Sequence, residues 1–249
     1  MSRLYETYEK NIGKEGKGDT PLTPLAHMYA NAQLQVTLDA EGNFAGAKPV
    51  DKKEAVTLIP VTEASAGRAS GIAPHALSDT LSYLAGDFGD YCPDGKLKKI
   101  AGEKYICYMQ QLQGWQESPY THVKVDIIYR YLCKKTLMAD LIQSGIVTLA
   151  DHVLDDKKIS GQPYEKAIVR FIVNEGTDDG IYGVGGKTDR AWKDTSLIKA
   201  YTSYYLSKQT GSTDLCYLSG KEGMRTEHHP KGIVAANYGA KPVSATDNQ

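Results

Sequence analysis

Phenylalanine and tryptophan are scarce in this chain, with three Phe and two Trp among 249 residues against 17 Tyr. A ring that carries a hydroxyl suits half-buried surfaces and interfaces as well as a core, so the aromatic content alone does not mark a dry interior. Cysteine is equally sparse. Cys92, Cys107, Cys133 and Cys216 are widely spaced and form no CxxC pair, which argues against a disulfide scaffold or a Cys-rich zinc module and for reduced thiols. No apolar run approaches the roughly 20 residues that span a bilayer, and the opening Met1-Ser2-Arg3-Leu4-Tyr5-Glu6 lacks an apolar leader core, so a cytoplasmic protein is expected. An excess of either charge is missing too: 29 Lys and Arg face 30 Asp and Glu, for a net charge of -1 and a pI near 6.6. A globally basic surface is excluded. What is present is an ordinary globular composition, 41% hydrophobic and 24% charged with a mean hydropathy of -0.41, which excludes disorder and collagen-like repeats.

Patterning divides the chain. Leu4 to Glu9 is a short polar and aromatic segment, and Gly13 to Gly18 followed by Pro21 and Pro24 predicts a mobile connection. Residues 33–38 alternate polar and apolar, Asp39 to Gly42 supply turn chemistry, and 43–50 return as a partner strand. Residues 56–61 read as a further strand. Helical spacing then takes over: Leu77, Leu81 and Leu84, next Tyr105, Tyr108, Met109 and Leu112, next Val125, Ile128, Tyr129 and Leu132, with 137–142 as another helix. The β-branched segment Lys166 to Asn174 returns the chain to the sheet, and 190–208 forms a long helix that ends near Gly211. The expected class is α+β, an N-terminal antiparallel sheet with a helical middle section and a further strand and long helix. Lines of subdivision fall near 90 and 160.

Several constellations resemble known chemistry and fail on spacing. Gly183 to Thr188 has the look of a phosphate-binding loop, but Ile181 stands where such a loop needs its first Gly, and Asp178 and Asp179 bring negative charge. Cys216, His228 and His229 lack the second ligand pair of a structural zinc site. Ser65, His75 and Asp79 include the residue types of a hydrolytic triad without the G-x-S-x-G turn that would expose the Ser. No metal and no cofactor is expected.

Positive charge is local. Between 90 and 135 stand Lys96, Lys98, Lys99, Lys104, Lys124, Arg130, Lys134 and Lys135 against five acidic residues, and such a stretch can track a phosphate backbone or simply form a solvated helix face. The 62–75 loop is more pointed. Gly67 and Gly71 let a backbone approach a ligand closely, Ser65 and Ser70 offer short donors, and Arg68 supplies a charge suited to a phosphate or a narrow groove.

Thr62 to His75, followed by Asp79 and by Ala85-Gly86-Asp87, resembles the large subunit of the type I-C CRISPR surveillance complex, Cascade. Leu4 to Glu9, Ala200 to Ser207, Asp214 to Gly220 and His229-Pro230 fit the same family in order. The resemblance implies a non-catalytic subunit that recognises the protospacer-adjacent motif of invading double-stranded DNA and helps open the duplex for pairing with CRISPR RNA. It implies as partners the other Cascade subunits, CRISPR RNA, target DNA and a nuclease-helicase recruited after target binding, with no membrane. Family chains continue into a C-terminal helical domain, so residues 1–249 are expected to be an N-terminal domain. Sequence identity of the target is then read by RNA pairing, leaving the protein the adjacent motif. The DNA-binding set expected on this basis is Ser65, Gly67, Arg68, Ser70, Gly71, Lys96, Lys98, Lys99 and Lys104, with Lys187 and Arg190 as a weaker second element. The alternative is a nuclease or guide-RNA-processing enzyme with His75 or His228 as general base.

Overall fold

A computed structural model describes residues 23–68, 70–92, 95–175, 188–209, 213–215 and 222–224. The expected segments at Leu4–Glu9 and Gly13–Gly18, the Gly183–Lys187 loop, and Gly211, Cys216, His228 and His229 lie outside the described residues.

The sheet forms where the sequence alternates. Strand β2 (Leu34–Leu38) pairs antiparallel with β3 (Phe44–Pro49) and parallel with β9 (Val169–Val173). The parallel register sets Leu34, Val36 and Leu38 beside Val169, Phe171 and Val173, and all six are fully buried on the helix-covered face. The opposite face carries the pair Gln35 and Arg170. A second antiparallel pair, β1 (His27–Asn31) with β4 (Val56–Pro60), contributes Thr57 to that side. Arg170 donates to the Gln35 side-chain oxygen, the Glu54 carbonyl and Thr57 Oγ1, with its guanidinium 4.0 Å from the Trp192 ring centre. A buried cation held by neutral acceptors and an aromatic face thus joins the two sheets.

The helices supply the other layer. They are α1 (Glu63–Ala66), α2 (Leu81–Leu84), α3 (Gly95–Gln116), α4 (Val123–Cys133), α5 (Leu137–Gln143) and α6 (Thr195–Lys208), with small hairpins of β5 (Leu149–Ala150) with β6 (Val153–Leu154) and β7 (Lys158–Ile159) with β8 (Gln162–Pro163) between α5 and β9. A last pair joins β10 (Thr213–Leu215) to β11 (Glu222–Met224). The mixed α+β class is as expected. The long helix starts later than 190 because Asp194 caps it, accepting from the Ser196 and Leu197 amides, after a short 3-10 turn at Ala191–Lys193.

Tyrosine enters the core with its hydroxyl satisfied. Tyr105 donates to the Leu132 carbonyl (2.8 Å), Tyr108 to Leu77 (2.7 Å), Tyr131 to Asp140 (2.8 Å) and Tyr201 to Val61 (3.0 Å). Burial raises the pKa of all four, so each remains a neutral donor. The Ala85-Gly86-Asp87 segment has a structural part to play: buried Asp87 accepts from the Met138 and Ala139 amides at the start of α5. Among the described residues no helix is long and apolar enough to cross a membrane.

Candidate functional site

The 62–75 loop starts as a capped turn. Thr62 Oγ1 accepts from the Ser65 amide at 3.1 Å and Ser65 Oγ accepts from the Thr62 amide at 2.9 Å, a reciprocal box that starts α1. Ser65 is buried and engaged within the turn.

Beyond it the chain projects. Gly67 closes α1 at the surface, and Ser70, Gly71 and Ile72 are exposed, with Gly71 at φ +77°, in the region that favours glycine. A Cβ at Gly71 would meet no atom within 4 Å, so the glycine serves the turn and open space rather than packing.

Arg68 turns inward. Its guanidinium donates to Asp79 Oδ1 at 2.8 Å, to Asp79 Oδ2 at 2.9 Å and to the Ala73 carbonyl at 2.8 Å, and lies 4.6 Å from the Tyr83 ring centre. The Arg68 side chain is 18% exposed and that of Asp79 is 0% exposed, so this is an interior fork rather than a surface ion pair. Asp79 also accepts from the His75 amide at 2.8 Å and the Thr80 amide at 2.7 Å. Burial alone pulls the Arg68 pKa down, but hydrogen bonding and attraction to Asp79 leave it raised. Tyr83 completes the frame, its hydroxyl accepting from the Ala73 amide at 3.3 Å. Both ends of the projecting segment are therefore tied to one buried carboxylate.

Lys104 joins from α3. Its Nζ lies 3.2 Å from Ser82 Oγ and 5.0 Å from the Tyr83 ring centre, and burial followed by repulsion from Arg68 lowers its pKa. Ser65, Gly67, Arg68, Ser70, Gly71 and Lys104 thus belong to one neighbourhood. Lys98 and Lys99 are exposed on α3, Lys98 reaching Asp90 at 3.3 Å, and Lys96 belongs to the first turn of that helix. Arg190 lies elsewhere, exposed and bridged to Ile172 at the end of β9. Lys187 lies outside the described residues.

The basic stretch is not one face. Lys124 is 1% exposed and bonds Asp194 Oδ2 at 2.6 Å and Glu175, while Arg130 and Lys134 hold the β2–β3 turn through the carbonyls of Ala40, Glu41 and Gly42. These cations secure the fold.

The residues of a Ser-His-Asp relay do not form one. Ser65 Oγ is bonded to Thr62, Asp79 takes the His75 backbone amide, and His75 Nδ1 has no partner. Burial brings the His75 pKa down to about 4, so the ring is neutral. No group of three or more His, Cys, Asp or Glu able to hold a metal occurs among the described residues.

Asp79 and Tyr83 carry the frame, and neither belongs to the set expected from the sequence. The sequence carries the signal: between 64 and 86 Arg68 is the only Lys or Arg and Asp79 the only carboxylate.

A family model described as CRISPR-associated protein (Cas_Csd1) matches residues 4–249, and no curated protein matches the chain. That match runs from before the sheet, through the braced loop and beyond α6, and on it the chain belongs to the Cas_Csd1 family of CRISPR-associated proteins.

Proposed function

We propose that this chain acts as the non-catalytic large subunit of a type I-C Cascade, recognising the protospacer-adjacent motif of double-stranded DNA and helping to open the duplex for the guide RNA. The reading rests on family membership and on one observation: a short exposed loop, Ser70 to Ile72, anchored at its base by the Arg68–Asp79 fork. Preorganisation lowers the entropy lost on binding, and small residues at the tip admit a close approach to a groove. Lys98, Lys99 and Lys104 lie on the neighbouring helix, where they can meet phosphates. The proposed partners are the other Cascade subunits, CRISPR RNA, target DNA and the nuclease-helicase that follows.

The test is binding of guide-loaded complex, with and without this subunit, to duplexes with a correct or scrambled adjacent motif at fixed salt. A motif preference that needs the subunit supports the reading, and its loss in Gly71→Val would place the contact at the tip. Equal binding to both duplexes in the presence of the subunit would overturn it.

A further inference from the structure

A groove runs between the turn at Thr62 to Ala64 and the C-terminal half of α6, enclosing about 270 Å³. Its floor is Tyr201, whose hydroxyl is already taken by the Val61 carbonyl. Its walls carry Tyr204, Tyr205, Gln111, Glu63 and Gln209, and Lys208 stands at the edge with its Nζ 5.4 Å from the Tyr204 ring centre. Burial raises the pKa of both wall tyrosines, so their rings stay neutral.

The lining chooses among occupants. Among the described residues that line it there is no Leu, Ile, Val, Met or Phe, so the apolar anchors of an amphipathic helix would find no matching pocket there. Flat ring faces, amide and carboxylate edges and one cation match a heterocyclic base with a phosphate beside it. The volume suits a single ring system with its sugar and falls short of what a larger buried cofactor needs.

Tyr204 is itself stacked on Trp115, ring centres 6.1 Å apart, so we infer that this groove takes an unstacked base of single-stranded nucleic acid against Tyr205, with Lys208 on the adjoining phosphate. The inference rests on the reading of the chain as a DNA-contacting subunit. Thr62 to Ala64 lead directly into the Gly67–Pro74 loop, so a strand released from a duplex at that loop meets the groove next. A base held there extends the binding surface beyond the duplex and favours its opening.

The experiment uses the full chain, fluorescence anisotropy, and two labelled strands of about 15 nucleotides, oligothymidylate and an abasic strand of the same length. The abasic strand should bind at least about fivefold more weakly, Tyr205→Ala should bring oligothymidylate down to the abasic level, and Tyr205→Phe should retain binding. Equal affinity for the two strands, no binding of either, or full binding by a folded Tyr205→Ala variant would overturn the inference. Should Tyr205→Ala melt early, photocrosslinking of the wild-type chain to a bromouridine strand decides: adducts at Tyr204 or Tyr205 support the groove, and adducts elsewhere alone overturn it. Motif discrimination by the assembled complex is scored separately. If it persists while single-strand binding is absent, the groove fails and the functional reading stands; single-strand binding without motif discrimination gives the reverse.

Discussion

Arg68 and Asp79 meet through two parallel hydrogen bonds of 2.8 and 2.9 Å, and the same carboxylate takes the amides of His75 and Thr80. The arginine is thereby a brace of the loop whose tip is Ser70 to Ile72. Removing either partner leaves the other charge buried, so Arg68→Ala and Asp79→Ala should each cost about 3–5 kcal/mol, measured by urea unfolding. Arg68→Lys should not restore the fork, because an ammonium cannot make the planar bidentate contact. The double variant should lose clearly less than the sum of the singles. Additive losses would mean that the pair is not coupled.

Lys124 gives a second, independent test. Its ammonium is shared by Asp194 and Glu175, whose side chains are 0% and 24% exposed. Hydrogen bonds and attraction from Lys124 hold the Asp194 carboxyl below its usual range despite the upward push of burial. Lys124→Met should destabilise by about 3–5 kcal/mol, and adding Asp194→Asn should recover part of that loss. Thermal melts of the two variants beside wild type check both statements.

Acid should unfold the protein through two histidines. Burial brings the pKa of His27 and of His75 down to about 4 from 6.5. Between pH 6.5 and 4 the unfolded chain binds more protons than the folded one, so stability falls as the pH falls through that window and is unaffected by these groups above it. Each contributes about 3 kcal/mol to the fall. His75→Leu should flatten the slope of unfolding free energy between pH 4 and 6.5 while leaving stability near pH 8 little changed. A slope identical to wild type would refute the assignment.

Two glycines predict opposite signs. A Cβ on Gly86 would lie 2.7 Å from Lys135 Cγ and 2.8 Å from Tyr105 Cζ, and that ring is pinned by its bond to the Leu132 carbonyl. Gly86→Ala should cost about 1–3 kcal/mol through overpacking. Gly102 sits in α3 with nothing within 4 Å of its Cβ position, so Gly102→Ala should stabilise by about 0.5–1 kcal/mol. Melting temperatures of the pair decide it.

The strands at 33–38 and 166–174 are legible because they alternate and are rich in β-branched residues, and the helices because their apolar residues recur every three or four positions. β1 is not: His27 to Asn31 has no such period and becomes a strand through its pairing with β4. Charge is misread for a related reason. A run of lysines gives composition without direction, and Lys124 has partners 51 and 70 residues away. Its spacing from Ile128 and Tyr131, both buried, places it on the inner face of α4. The candidate loop is legible in its glycines and serines, whereas the inward direction of Arg68 is set by Asp79, 11 residues on.

The parallel pairing of β2 with β9 sets Leu34 beside Val169. During synthesis β2 emerges long before β9, and its local hairpin with β3 covers only its other edge. Contacts this distant along the chain slow the search for the native topology and leave apolar strand edges open to other molecules meanwhile. Fragments that stop before Val173 should collapse or aggregate, and protection of the Val36 amide from hydrogen exchange should appear only late in refolding.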